Sequence, residues 1–125
     1  MRSFTLTVGC LAIAVGTLAA PQAASANDAD FKLVNRTGYQ IDEVYVSPAS
    51  SSKWGPDVLG QQSMGDGEVA TITFSERNGV CVFDLKVKYH DDGSTAEWSK
   101  VDLCQYSSIT LYWDAKAQVT RAVGK

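Results

Sequence analysis

The chain has 125 residues, of which 45% are hydrophobic, and its 11 Lys and Arg against 14 Asp and Glu give a net charge of −3. The sequence contains no cluster of Lys and Arg residues. Nucleic-acid binding is therefore not expected, because contact with phosphates requires a surface rich in Lys and Arg. The length fits a single domain of ordinary size.

The first 26 residues have the three parts of a secretory signal peptide. A positive start at Arg2 precedes an apolar stretch over 4–20, and Ala24-Ser25-Ala26 supplies the small residues that signal peptidase requires. A retained membrane anchor fits less well because the stretch is short, and a lipid attached to Cys10 fits less well because Cys10 lies inside it. We expect cleavage after Ala26, which leaves one domain over 27–125 with no membrane span and a net charge of −4 (14 acidic residues against 10 basic ones).

Seven β-strands are predicted in the remaining chain, since hydrophobic residues alternate in short stretches between turn sequences. The stretches are 31–34, 39–47, 68–74, 80–89, 95–104, 109–114 and 117–123. In the second, the hydrophobic positions change phase between Ile41 and Val44, which predicts a β-bulge at Asp42-Glu43. No segment has a helical period long enough to cover a sheet. We expect an all-β fold, a small antiparallel β-sandwich.

Two cysteines, Cys81 and Cys104, remain after removal of the leader. An even pair in a small exported domain predicts one structural disulfide. The pair flanks a predicted hairpin with its turn at Asp91-Asp92-Gly93-Ser94. Symmetric closure about Asp92 and Gly93 pairs residues whose numbers sum to 185, as those of the two cysteines do. They would then face each other directly.

The same register makes further predictions about the hairpin. It sets Asp102 opposite Phe83 on the apolar face, so a bulge near Asp102 or a less regular hairpin is also expected. The other cross-strand pairs are favourable ones: Val87 with Trp98, Tyr89 with Ala96, and Lys88 with Glu97.

The connection from Ser47 to about Met64 is long for so small a domain, and long loops are commonly functional or disordered. Trp54, Val58 and Leu59 argue against disorder because they provide apolar side chains for packing. Two interpretations remain open. The loop is either a lid over one end of the core or a binding loop with Trp54 as its platform and Asp57 as its polar contact.

Several short motifs together resemble a family of small exported bacterial domains that has no established activity. They are Asn35-x-Thr37-Gly38, Val44-Tyr45-Val46-Ser47-Pro48 and Trp54-Gly55-x-Asp57-x-Leu59-Gly60, with Cys81-x-Phe83-Asp84-Leu85 and Asp102-Leu103-Cys104 fitting the same pattern. The resemblance implies a periplasmic or secreted protein. Members sometimes carry enzyme names such as argininosuccinate lyase. Such a lyase is large, mostly helical and oligomeric, and a short β-patterned chain cannot build one.

Few residues suggest catalysis or metal binding. His90, the only histidine, lies beside Asp91 and Asp92 at the hairpin tip, where a His–Asp pair would act as a general base but has no nucleophile near it in sequence. Asp91 and Asp92 are a weak calcium candidate, with solvated turn residues as the alternative. Asn35-Arg36-Thr37 matches the N-glycosylation acceptor pattern, and we interpret it as a turn in which Asn35 bonds the backbone. No zinc-ligand spacing, phosphate loop or nucleophile motif occurs.

These observations predict a non-enzymatic, exported β-sandwich with a binding or structural role, no cofactor, and an unidentified protein or glycan partner. A carbohydrate-binding module that uses the Trp54 loop is the second interpretation, because exposed Trp and Tyr side chains stack on sugar rings. A small hydrolase is the third, and it lacks a recognisable nucleophile and base.

Overall fold

The computed structural model describes residues 29–74 and 79–125, so the predicted signal peptide lies outside the described residues. Seven strands confirm the all-β prediction, and each lies within a few residues of its predicted position. They are β1 Phe31–Arg36, β2 Ile41–Pro48, β3 Val69–Ile72, β4 Val82–Tyr89, β5 Thr95–Asp102, β6 Ser108–Asp114 and β7 Val119–Gly124. A single 3-10 turn, Leu103–Gln105, is the helical structure in this part of the chain. None of the helical structure described there has the length and hydrophobicity to cross a membrane.

The strands form two sheets, as expected for a sandwich. The larger has the order β3-β1-β6-β7 and the smaller the order β2-β4-β5. All neighbouring strands are antiparallel except β1 and β6, which pair in parallel. Because β2 belongs to the smaller sheet, β1 takes both of its neighbours, β3 and β6, from later in the chain.

The core lies between the sheets, and side chains that alternate along a strand point towards it where no bulge interrupts the strand. In β4, for example, every second residue from Phe83 to Tyr89 is buried. One polar contact also joins the sheets, since the Tyr89 and Thr120 hydroxyls lie 2.5 Å apart. The largest fully buried side chains come from several elements: Leu33, Ile41, Leu85, Leu103, Leu111, Val44, Val87 and Asn35.

The predicted bulge in β2 is confirmed. The pairing of β2 with β4 shifts register between Ile41 and Glu43, which leaves Asp42 as the extra residue. After the shift, Val44 again faces the core, so the bulge explains the change of hydrophobic phase seen in the sequence.

The predicted register of the β4–β5 hairpin is wrong by two residues. Leu85 pairs with Trp98 and Val87 with Ala96, where the sequence suggested Val87 with Trp98. Symmetric closure about Asp92 and Gly93 assumes a two-residue turn, whereas a pair of hydrogen bonds between Tyr89 and Ser94 would close a loop of four. One of those bonds is present, from the Tyr89 amide to the Ser94 carbonyl at 2.8 Å.

A second bulge, in β5, brings the cysteines back together. Two residues, Ser99 and Lys100, lie opposite Asp84, whose carboxylate accepts the Lys100 amide at 2.9 Å. Lys100 has a φ of 55°, the left-handed conformation that non-glycine residues seldom adopt. The bulge shifts the pairing by one residue towards the disulfide end of the hairpin.

The Cys81–Cys104 disulfide is present, with the two Cα atoms 5.2 Å apart. Cys104 reaches Cys81 from the 3-10 turn and not from a strand position directly opposite. Asp102 pairs with Val82 and not with Phe83, which corrects the awkward contact predicted from sequence. Its carboxylate accepts the Cys104 amide at 3.2 Å and thereby begins the turn.

Candidate functional site

The long connection over 49–64 follows the free edge of β2. The Val58 amide donates to the Val44 carbonyl at 2.8 Å, and Ile41 and Met64 exchange two backbone hydrogen bonds of 2.8 Å each. Met64 is buried in the core, and Leu59 packs against it. The connection therefore covers an exposed strand edge, a position at which other chains would otherwise pair.

Asp57 fixes the shape of this connection. One oxygen of its carboxylate accepts the backbone amides of Val44 and Leu59, both at 2.9 Å. The bond to Leu59 is the Asx turn expected for an Asp after Pro56. Because the same oxygen also satisfies an edge amide of β2, Asp57 has a structural task whether or not a ligand contacts it.

Trp54 lies on the outer face of the smaller sheet, half-buried. Its ring packs beside the Tyr45 ring, with centroids 6.3 Å apart, and the Lys86 ammonium lies 4.8 Å from both centroids. Trp54 thus contacts the outside of the sheet and does not enter the core. The cation of Lys86 already contacts this aromatic pair.

Charged groups continue this arrangement along the same face. The Tyr45 hydroxyl bonds the Glu43 carboxylate, and Lys88 lies 3.7 Å from the other Glu43 oxygen. The hydrogen bond to Glu43, followed by partial desolvation and nearby negative charge, raises the pKa of Tyr45 to about 12. Tyr45 is therefore a phenol at neutral pH and does not supply a base.

A different group of aromatic residues surrounds a pocket at the tip of the β4–β5 hairpin. This hairpin-tip pocket has a volume of about 160 Å³ and is lined by Tyr39, Tyr89, Asp91, Asp92, Ser94 and Trp113. The Tyr39 ring meets the Tyr89 and Trp113 rings edge to face, with both centroid distances 6.1 Å and interplanar angles of 82° and 86°. The rings therefore form corners and not one flat surface.

The sandwich holds each of these rings in place. Trp113 continues the inward series of Ile109 and Leu111 at the end of β6, so it lies beyond the core. Tyr89 is the last buried residue of β4, and its hydroxyl contacts Thr120 of the opposite sheet. These positions place the pocket at the end of the sandwich away from the disulfide.

Asn35 fixes the turn that carries Tyr39. Its side chain is fully buried, and its amide donates to the carbonyls of Tyr39 at 2.8 Å, Met64 at 3.1 Å and Gly65 at 3.2 Å. Its oxygen accepts the amide and hydroxyl of Thr37 at 3.0 and 2.7 Å. These bonds confirm the predicted turn. Burial also makes Asn35 inaccessible to glycosylation in the folded protein.

The two carboxylates of the pocket differ in their surroundings. Asp92 accepts the Ser94 amide at 2.9 Å and the Ser94 hydroxyl at 2.7 Å, and these bonds lower its pKa. Asp91 is exposed and has no hydrogen-bond or ion-pair partner among residues 29–74 and 79–125. Of the residues that line the pocket, none is Lys or Arg. The pocket therefore has two carboxylates beside its rings, and the charge of Asp91 also acts on the neighbouring His90, where it contributes to the raised pKa.

His90 points to a neighbour outside the pocket. Its Nδ1 lies 2.9 Å from an Asp42 oxygen, and this contact raises the pKa of His90 and lowers that of Asp42. The His90 side chain is more exposed than that of Asp42, which is partly buried. In the described part of the chain, the hydrogen bonds of the His90 ring go to Asp42, so no hydroxyl nucleophile is positioned against it.

Within 29–74 and 79–125, the acidic and sulfur ligands that converge are those of Cys81, Asp102 and Cys104. The two sulfur atoms are bonded to each other and Asp102 begins the 3-10 turn, so this group reflects the disulfide. Calcium binding by Asp91 and Asp92 stays a prediction.

Sequence analysis singled out Trp54 and Asp57, which the structure places at the β2 edge, and Asp91 and Asp92, which it places in the pocket. It did not single out Tyr39 or Trp113. The only signal for Trp113 was its inward phase after Leu111, which is equally typical of a core residue. Nothing local in the sequence indicates that these rings meet.

A scan against protein-family models, a search of curated proteins and a search of solved structures each find no match for this chain. The resemblance to small exported bacterial domains therefore stays a prediction, and the function is argued from the site.

Proposed function

We propose that this protein is an exported, non-catalytic binding domain whose ligand occupies the hairpin-tip pocket. Export to the periplasm or the cell exterior is supported by the leader-like sequence over 1–26 and by a disulfide, which persists in oxidising compartments. A binding role is favoured over catalysis because the ring of the only histidine bonds the Asp42 carboxylate, and no hydroxyl of the described residues bonds that ring.

One observation supports the assignment of the site. The pocket combines exposed aromatic rings with a carboxylate that forms no hydrogen bond within the described regions, and these residues are held by the strands and turns of the sandwich. Tyr39 is 44% exposed although Asn35 holds its backbone. Asp91 is a carboxylate without a partner in the described regions. Ligand sites commonly have this composition, with apolar and aromatic walls and a few converging polar groups.

The second candidate is a carbohydrate-binding module that uses the Trp54 loop. It is favoured by one observation, that Trp54 and Tyr45 form a half-buried aromatic pair on the outer face of a sheet. The Lys86 cation over both rings counts against it, because a sugar that stacks there must compete with or displace that contact.

A ligand panel with matched variants tests the proposal. Neutral saccharides, organic cations and organic anions are added at millimolar concentration, and binding is read as a rise in melting temperature. We expect one class to stabilise the wild type and Tyr112→Ala but not Tyr39→Ala. Tyr112 is the control because it is equally exposed, at 44%, and lies outside the pocket.

Other outcomes would overturn the proposal. Binding that Tyr39→Ala leaves intact would exclude the pocket. A saccharide response lost in Trp54→Ala and retained in Tyr39→Ala would establish the carbohydrate-binding alternative. Turnover of generic ester or glycoside substrates would show that the protein is an enzyme.

A further inference from the structure

We infer that the hairpin-tip pocket selects an organic ammonium cation, an inference that rests on the proposed function and names its ligand class. The ligand group is a compact alkylated ammonium, carried by a small solute or by a lipid headgroup. Charge, ring geometry and a contact made elsewhere in the same molecule each support this choice.

The charge of the pocket favours a cation. Asp91 and Asp92 both line it, and Asp92 remains ionised to lower pH than usual because Ser94 donates two hydrogen bonds to it. The side chain of Lys88 passes beside Gly93 of the hairpin tip, and its ammonium lies 3.7 Å from a Glu43 oxygen, with which it forms an ion pair. An anionic ligand would meet two carboxylates, whereas a cation could form an ion pair that neither carboxylate forms within 29–74 and 79–125.

The ring geometry favours a rounded group over a flat one. A sugar ring stacks on a single extended aromatic platform, whereas Tyr39 stands nearly perpendicular to both Tyr89 and Trp113. A compact head such as trimethylammonium contacts several walls of a corner at once, and ring faces attract cations through their quadrupoles. The volume of about 160 Å³ suits a head group of this size.

The same protein already contains such a contact. On the outer face of the smaller sheet, the Lys86 ammonium lies 4.8 Å from the Tyr45 and Trp54 ring centroids. That aromatic pair obtains its cation from the chain itself. The hairpin-tip pocket has more rings and two carboxylates, yet none of its described lining residues is a cation, so an external ammonium group would complete an equivalent arrangement.

Choline, tetramethylammonium and 3,3-dimethyl-1-butanol provide the direct test. The last compound is the neutral isostere of choline, so the comparison isolates charge. By titration calorimetry of the mature protein we expect choline to bind about tenfold more tightly than the alcohol, which corresponds to about 1.4 kcal/mol. Added salt should weaken choline binding and leave the alcohol unaffected, because exposed charges are screened.

Two variants and one control connect the result to the pocket. Asp91→Asn should weaken choline binding several-fold without loss of stability, since Asp91 has no structural partner among the described residues. Tyr39→Ala should abolish binding, and Tyr112→Ala should leave it unchanged. Co-sedimentation with phosphatidylcholine vesicles distinguishes the sources. Binding to vesicles as well as to free choline indicates a lipid headgroup, and binding to free choline alone indicates a solute.

The possible failures are distinguishable. Equal affinity for choline and its neutral isostere, or a Tyr39-dependent response to saccharides alone, would refute the cation and leave the pocket as a ligand site. No response to any compound would refute both the cation and the proposed function.

Discussion

Replacement of Trp54 by alanine measures how far the long connection contributes to stability. The side chain makes two ring-specific contacts, an aromatic pair with Tyr45 and a cation–π contact with Lys86. The first is worth about 0.5–1.5 kcal/mol and the second about 0.5–1 kcal/mol. Loss of a half-buried apolar surface adds about 1 kcal/mol, since full burial of a large apolar side chain is worth roughly 1.5–3 kcal/mol.

We therefore expect Trp54→Ala to lower the free energy of unfolding by about 2–3.5 kcal/mol, which reaches only the lower part of the 3–5 kcal/mol range typical of an aromatic truncation inside a core. The backbone of the connection should stay in place, because Asp57 bonds Val44 and Leu59 without help from the ring. For a domain of this size the loss corresponds to a fall in melting temperature of roughly 10–20 °C.

Urea denaturation of the wild type, Trp54→Ala, Lys86→Met and the double variant supplies the measurement. The double-mutant cycle should give a coupling of about 0.5–1 kcal/mol between ring and cation. A loss above about 4 kcal/mol would show that Trp54 belongs to the core. A loss below about 0.5 kcal/mol, typical of an unconstrained surface position, would show that the ring is free to act as a platform.

Four further predictions concern the fold and its titratable groups. Thiol titration of the denatured mature protein should find no free thiol. Reduction of the Cys81–Cys104 disulfide should lower the free energy of unfolding by about 3 kcal/mol, because the disulfide closes a long loop. Asn35→Ala should cost about 3–5 kcal/mol in chemical denaturation, because it removes five hydrogen bonds of a fully buried side chain and leaves the buried Thr37 amide without its acceptor. The Asp42 contact raises the pKa of His90 above 6.5, so the ion pair stabilises the fold fully below pH 6.5. This stabilisation is lost as the pH rises through the raised pKa of His90. It is also lost in acid, when the pH falls through the lowered pKa of Asp42 and that carboxylate becomes protonated. By NMR titration, Asp42→Asn should return the His90 pKa towards 6.5. Millimolar calcium should leave the melting temperature unchanged if the hairpin-tip carboxylates are only solvated, and a rise reversed by EDTA would show a calcium site.

Strand positions were predictable because hydrophobic and polar residues alternate along a strand that has one buried face and one exposed face. In β4 the alternation from Phe83 to Tyr89 matches the observed burial at every residue. The bulge in β2 was equally visible, since an extra residue must shift the hydrophobic phase from Ile41 to Val44. Both are local signals, and each needs only one strand to be read.

The hairpin register was not predictable in the same way. The choice between a two-residue and a four-residue turn depends on several backbone conformations around Gly93. The compensating bulge depends on Lys100 adopting a positive φ, which its residue type does not suggest. The shift of the turn and the shift of the bulge have opposite directions and partly cancel, so the cysteines lie close together although the predicted register is incorrect. The pairing of cysteines is thus weak evidence for the strand register between them.

Contacts between distant segments were also beyond the sequence. The parallel pairing of β1 with β6 joins strands separated by most of the chain, and no residue pattern in β1 names its partner. The hairpin-tip pocket follows from that pairing together with the packing of the two sheets, because Trp113 lies at the end of β6 and Tyr39 just after β1. A single sequence shows two aromatic residues in separate segments, and only the topology shows that their rings meet.

The two ends of β4 differ in the contacts that their residues make. Cys81 lies just before the strand, where the disulfide joins the hairpin to the 3-10 turn. At the other end, Tyr89 has a structural contact with Thr120, whereas Asp91 beyond it has no structural partner in the described regions. Tyr39 is similar, since its backbone is held by Asn35 while its ring remains exposed. Replacement of the Asp91 carboxylate should therefore cost the sandwich little stability, whereas replacement of the Tyr39 ring also removes its two edge-to-face contacts with Tyr89 and Trp113.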